Sequence, residues 1–289
     1  MTSIQVSIVC YTCNHEKYIK DAIESFLMQK TNFTYEIIIY VDASKDSTQA
    51  IVKEYENKYP TLITAVYQCE KQSSKFVDVE YEMVQRAQGK YIAFCEGDGF
   101  WTDSYKLQKQ YEFMEEHLTY SLCVHAGEVV RNNDKKTIAY RKPSSVAKVY
   151  TTEEIIEGGK GYFLTNTMFF RKQLLDNRAD FVAGAALSDY PLAVYLSLVG
   201  EVYYIADSMA SYRTNVKGSW TSKDSVNGQG YRSKFEEITK MLDEVNEYTN
   251  YRFAEAIERR KDSNEVIVLV KERNFQKLRS SNLKEAERK

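Results

Sequence analysis

The beginning of this sequence lacks the features of an export or anchoring segment. Met1 to Cys10 has neither the basic n-region nor the long apolar stretch of a signal peptide. No run approaches the roughly 18 apolar residues of a membrane helix. Neither sign of charge predominates: 39 Lys and Arg stand against 41 Asp and Glu, a net charge of −2. That balance argues against a nucleic-acid binder, which needs a basic face. Cysteines do not come in an even, paired set; the five at 10, 13, 69, 95 and 123 suit free thiols in a reducing, cytoplasmic setting. Cys10 and Cys13 form a C-x-x-C, but no second pair completes a zinc site. The pair falls in a predicted strand and its exit, which favours core packing. His117 and His125 have no partners at metal-ligand spacing. Internal repeats and low-complexity segments are also missing. What remains is an ordinary globular composition, 43% hydrophobic and 28% charged, in 289 residues. That length can bury a full α/β core with some chain left for an appendage.

The first half alternates strands and helices. Gln5 to Cys10 reads as a buried strand, and Tyr18, Ile19, Ala22, Ile23, Phe26 and Leu27 recur at helical spacing. Tyr35 to Val41 is a continuous apolar run, as in a strand covered on both faces. Asp46 can cap a helix that ends at Pro60. Leu62 to Tyr67 is a third strand, Val79 to Ala87 a helix and Lys90 to Cys95 a fourth strand. This alternation implies a parallel sheet. The first strand-to-helix turn has no glycine, so the dinucleotide fingerprint is absent. Beyond residue 104 the pattern is mixed. A helix is expected over Tyr105 to His117 and strands over Tyr120 to Val130, Phe163 to Phe170, Val202 to Ile205 and Met209 to Tyr212. Asp189 opens a helix with Pro191 in its first turn. Thr221 to Gly230 reads as a linker, followed by a helical appendage with Phe235, Ile238, Leu242 and Val245 on one stripe.

Ligands of open parallel sheets bind at the carboxyl ends of the strands. Three polar clusters sit just past such ends: Thr12, Asn14 and His15; Asp42, Ser44 and Asp46; Glu96, Gly97 and Asp98. A carboxylate there can accept from a nucleobase N–H or ribose hydroxyls, or bind a divalent ion that holds a diphosphate. The segments SIVCYTCNHEKYIKDAIESFLMQK, YEIIIYVDASKDST, GKYIAFCEGDGFWTD and SDYPLAVYLSLVGEVYYIADSMASYR closely resemble the inverting family 2 of glycosyltransferases over about residues 4 to 220. The resemblance implies a GT-A fold, an α/β domain with a central mixed sheet flanked by helices. Residues 1–103 would form the nucleotide-sugar half, 104–222 the acceptor half, and 223–289 a linker and C-terminal helical extension. It implies transfer of a sugar from a nucleotide-diphosphate donor, UDP by default, to a glycan or lipid-linked acceptor in bacterial surface-polysaccharide synthesis. Thr12 and Asn14 would line the nucleotide pocket, Asp42 would meet the base, Asp98 would lie beside ribose and diphosphate, and Glu96 would belong to the nucleotide-sugar site. Asp189 falls where the family places its catalytic base.

The chain departs from the family pattern at three points. Gly99 stands where relatives commonly carry a second Asp, Val41 precedes Asp42 in place of a first, and Thr214 and Asn215 follow Tyr212-Arg213 where many carry a His. Asp98 is then the remaining metal contact, and Mn²⁺ or Mg²⁺ would be held weakly. Lys75 and Arg213 are candidates for cationic contacts to the diphosphate. Trp101, directly after the acidic turn, is the candidate for stacking on a sugar. The alternative reading is a GT-A protein that binds nucleotide or a partner without efficient turnover. Lys271 to Lys289 carries seven basic and three acidic residues, a net of +4. It reads as a solvated helix face or as a peripheral contact with anionic lipid on the inner face of a membrane.

Overall fold

The computed structural model describes residues 3–70, 76–183, 189–214, 216 and 228–272. Four short, largely apolar strands build its centre. β1 (Val6–Thr12), β2 (Tyr35–Val41), β3 (Ile63–Tyr67) and β4 (Tyr91–Phe94) pair in parallel in the order 3-2-1-4. Helices α1 (Ile19–Leu27), α2 (Thr48–Lys58) and α3 (Phe76–Arg86) return the chain between them. Because β1 and β2 are covered on both faces, alternate residues feed opposite cores. Ile8, Cys10, Ile37 and Ile39 pack with Ile23 and Phe26 of α1, whereas Val9, Tyr11 and Ile38 pack with Met83 of α3.

The sheet continues beyond β4 with mixed sense. β5 (Phe100–Trp101) and α4 (Lys106–Glu116) lead into β6 (Tyr120–Arg131) and its hairpin partner β7 (Thr137–Arg141). β8 (Lys148–Tyr150), α5 (Thr152–Gly158), a 3-10 turn at Thr165–Thr167, β9 (Phe169–Arg171), a four-residue helix α6 (Asp180–Ala183) and α7 (Asp189–Val199) follow. β10 (Glu201–Thr214) pairs in parallel with β6, giving the order 3-2-1-4-9-6-10-5. This is the central mixed sheet flanked by helices of the GT-A fold.

Two expected strand boundaries need correction. Phe163 to Phe170 is not one strand: the 3-10 turn occupies its middle and only Phe169–Arg171 joins the sheet. The two strands expected over 202–212 are one strand of 14 residues, irregular in register near Ile205 to Ala210. The bulges interrupt the apolar alternation by which sequence reading recognises a strand. The helical hairpin α8 (Gly228–Tyr248) and α9 (Ala254–Lys271) packs Ile238, Leu242, Val245 and Ile257 into the same core as α5 and α7. All five cysteines are free, and Cys10 of the C-x-x-C is fully buried in β1.

Candidate active site

The loops after β1 and β2 are sewn together by side chain to backbone bonds. Asn14 adopts φ 55°, a region that Asn tolerates better than most residues. Its backbone N–H donates to Ser44 Oγ at 3.1 Å, while its Oδ1 accepts from the Lys45 N–H at 2.8 Å. Asp46 accepts from the Glu16 N–H and, through its other oxygen, from Thr48 N and Oγ1. These bonds hold Asp46 below the usual carboxylate range against the opposing effect of burial. Its role is thus wider than the cap read from sequence. Asp42, buried at the end of β2, donates its backbone N–H to Thr12 O at 3.0 Å.

The third loop, Glu96 to Gly99, lies directly against the first. A Cβ on Gly97 would fall 2.6 Å from Thr12 Oγ1 and 3.0 Å from His15 Nδ1, so the turn requires glycine there. Four buried polar atoms around this turn have no hydrogen-bond partner among the described residues: Thr12 Oγ1, His15 Nδ1, Glu96 Oε2 and Asn166 Oδ1. Buried polar groups are almost always satisfied, and a cluster of exceptions marks a place where a polar ligand completes the bonding. Buried Asp98 places Oδ2 3.9 Å from His15 Nε2. Burial lowers the basicity of His15, and the Asp98 charge opposes that shift. Glu96 is pushed up to about 7, first by burial and then by the Asp98 charge, with a further contribution from Asp189. Asp189 is itself raised by burial, opposed by the Lys160 charge, and its Oδ1 accepts from the Tyr190 N–H at 2.9 Å. The structure therefore brings Thr12, Asn14, Asp42, Glu96 and Asp98 to one end of the sheet, with Asp189 close enough to act on Glu96.

Two expected contacts are corrected. Trp101 is only 1% exposed; it packs edge-on against Phe26, Lys106 Nζ sits 4.1 Å above its ring, and its indole N–H donates to Asn166 O. No face is left for a sugar. Arg213, also 1% exposed, donates to the Asp98 carbonyl at 2.6 Å and to the Asp21 carboxylate. It braces the acidic turn, and its guanidinium is engaged by these two partners. Lys75 and Asn215 lie outside the described residues. His15 and Asn166 were not singled out as binding residues. His15 was visible within the first cluster, but nothing local marks Asn166, which reaches the site from the 3-10 turn.

The GT-A family implies a divalent ion at Asp98. Among the described residues no three His, Cys, Asp or Glu side chains gather to hold one. With Gly99 beside it, Asp98 is the residue of the turn that would hold such an ion.

The carboxyl ends of the parallel strands, with their acidic and partly unsatisfied loops, are the place where open α/β sheets bind ligands. Residues 7–178 match the model of glycosyl transferase family 2, and the chain belongs to that family. It is 31% identical over 218 residues to the uncharacterized protein Rv1520 of Mycobacterium tuberculosis, spanning 75% of this chain and 61% of that protein. The chain thus spans about three fifths of the length of that curated relative. It is 25% identical over 236 residues to the poly(ribitol-phosphate) beta-N-acetylglucosaminyltransferase TarS of Staphylococcus aureus, covering 79% of this chain and 39% of TarS. The crystal structure of TarS 1–349 in complex with UDP-GlcNAc superposes with a TM-score of 0.66 at 19% identity, covering 94% of this chain and 73% of that one. The mannosyltransferase PcManGT from Pyrobaculum calidifontis, in complex with GDP-Man and Mn²⁺, shares the fold with a TM-score of 0.60 at 12% identity, over 92% of this chain and 72% of the other.

Proposed function

We propose that this chain transfers a sugar from a UDP-sugar to a hydroxyl of a glycan or lipid-linked acceptor, with inversion, in bacterial surface-polysaccharide synthesis. The observation that carries this reading is the group of unsatisfied polar atoms of Thr12, His15, Glu96 and Asn166 around the Asp98 turn. Asp42 accepts the uracil imide N–H. Thr12 and Asp98 take the ribose and diphosphate side, where a partly dry pocket strengthens each hydrogen bond. Asp189 takes the proton from the acceptor hydroxyl as the oxygen attacks the anomeric carbon; burial raises its basicity toward that task. One step suffices, and no covalent nucleophile is needed. UDP leaves as the glycosidic bond forms on the opposite face.

The family relation and the TarS complex with UDP-GlcNAc support the choice of donor. Calorimetry with UDP, UDP-GlcNAc and GDP-mannose, followed by turnover with bacterial glycan and lipid extracts, tests it. Uridine nucleotides should bind and at least one UDP-sugar should be consumed. Failure of every nucleotide to bind would overturn the reading. Tight UDP binding without turnover would favour the alternative, a binding protein on the same fold.

A further inference from the structure

The hairpin formed by β6 and β7, with the loop running on to β8, is unlike the rest of the surface. From Arg131 to Lys148 the sequence has six basic residues and one acidic, a net of +5 in a chain whose total is −2. Three of these cations are already engaged: Arg131 with Asp134, Lys135 with Asp21 and Lys148 with Glu154. Lys136, Arg141 and Lys142 are exposed and have no carboxylate partner among the described residues. Beside them stand Ile138, Tyr140 and Val146, exposed to 51%, 61% and 64%. Only β6 pairs with β7, so its outer edge carries no strand among the described residues.

Lysines on an edge strand ordinarily guard against edge-to-edge pairing. That purpose gives no reason to place two large aliphatics and a tyrosine between the charges. Cations interleaved with exposed aliphatic and tyrosine side chains match the boundary of an anionic bilayer. There the charges meet headgroups, the tyrosine sits at headgroup level and the aliphatics enter the acyl margin. We infer that this hairpin is a docking surface for a membrane carrying anionic lipid. Its turn is fixed to the mouth of the site: Lys135 pairs with Asp21 at 2.8 Å and lies over the Phe100 ring, next to the Asp98 turn. Docking here would bring the acidic turn near the lipid surface. The inference does not depend on turnover, and it uses a different part of the chain from the basic segment beyond residue 271.

Sedimentation with phosphatidylcholine vesicles and with vesicles enriched in phosphatidylglycerol tests it. The wild type should bind only the anionic vesicles, and less at high salt. The triple variant Lys136→Glu, Arg141→Glu, Lys142→Glu should lose about a hundredfold in partitioning, since each basic residue near such a surface contributes about fivefold. Its UDP affinity and circular dichroism should not change. Tyr140→Trp should shift its emission to the blue with anionic vesicles and be quenched by brominated lipid. Wild-type partitioning in the triple variant, with binding lost on removal of residues 273–289, would overturn the inference and place the contact in that segment. Binding to inorganic polyphosphate without binding to vesicles would overturn it in favour of an anionic polymer.

Discussion

Asp189 has two possible jobs, helix start and proton acceptor, and one substitution separates them. Asp189→Asn keeps size and capping but cannot accept a proton, so turnover should fall by about 10² to 10⁴ with nucleotide affinity nearly unchanged. Lost thermal stability at normal rate would leave only the structural job. Asp42→Ala should weaken UDP binding by about 1–3 kcal/mol by leaving the uracil donor unpaired, which calorimetry reads directly. Gly99 bears on metal use. It does not have the left-handed φ of Gly159 and Gly161, so an aspartate there is not strained by the backbone. Its Cβ would lie 3.0 Å from Asn166 Nδ2, which must give slightly. Wild-type UDP affinity should respond little to Mn²⁺, while Gly99→Asp should tighten it in Mn²⁺ and not in EDTA. A strong Mn²⁺ requirement in the wild type would show that its site is not impaired. The acidic candidates were legible because they follow apolar runs whose ends mark strand ends. Trp101 was misplaced because an aromatic beside a loop looks the same in sequence whether its ring faces the core or a cleft. Asn166 became part of the site only through a fold-back that no local pattern encodes.

Among the elements, the register of the first sheet rests on one small cluster. Ser7 Oγ donates to Glu36 Oε1 at 2.6 Å and accepts from the Gly89 N–H at 2.9 Å, tying β1, β2 and the turn into β4. The same glutamate oxygen accepts from the Gln88 N–H. A Cβ on Gly89 would lie 2.5 Å from Ser7 N and 2.7 Å from Val6 C, both backbone atoms that cannot swing aside. Gly89→Ala should therefore cost about 1–3 kcal/mol, seen as a lower midpoint in urea. An unchanged midpoint would mean that the turn relaxes freely. β1 to β4 and α1 to α4 were readable because burial on both faces or on one stripe leaves a strong periodic signal. β7 and β8 were not, since short strands at the margin of the sheet carry mixed polar and apolar residues. β5 is only two residues long, and β10 conceals its continuity behind bulges.

At the scale of the molecule, an unexpected charge lies in the core. Lys106 is fully buried beside Trp101, donates to Gln110 Oε1 at 2.7 Å, and burial lowers its pKa from 10.5 to about 7. Between those values the unfolded chain holds a proton that the folded chain lacks, so stability rises with pH, by up to about 1.4 kcal/mol per unit. Lys106→Met should flatten that slope in unfolding curves taken from pH 7 to pH 10; an unaltered slope would assign it to other groups. Within the segment read from sequence as a linker and helical extension, α8 and α9 share the core of α5 and α7. Arg259 pairs with Glu157, and Arg260 donates to the Glu157 carbonyl and fills the space beside Gly159, at the loop that faces Asp189.

That last fastening has a consequence for the order in which the protein comes into being. A ribosome delivers β1 to β4 early, and their mutual pairing needs nothing that comes later. The Asp189 face, in contrast, waits for Arg259 and Arg260, more than a hundred residues downstream of the Glu157 that they grip. During synthesis a nascent chain would thus hold β1 to β4 paired well before the Asp189 face was firm.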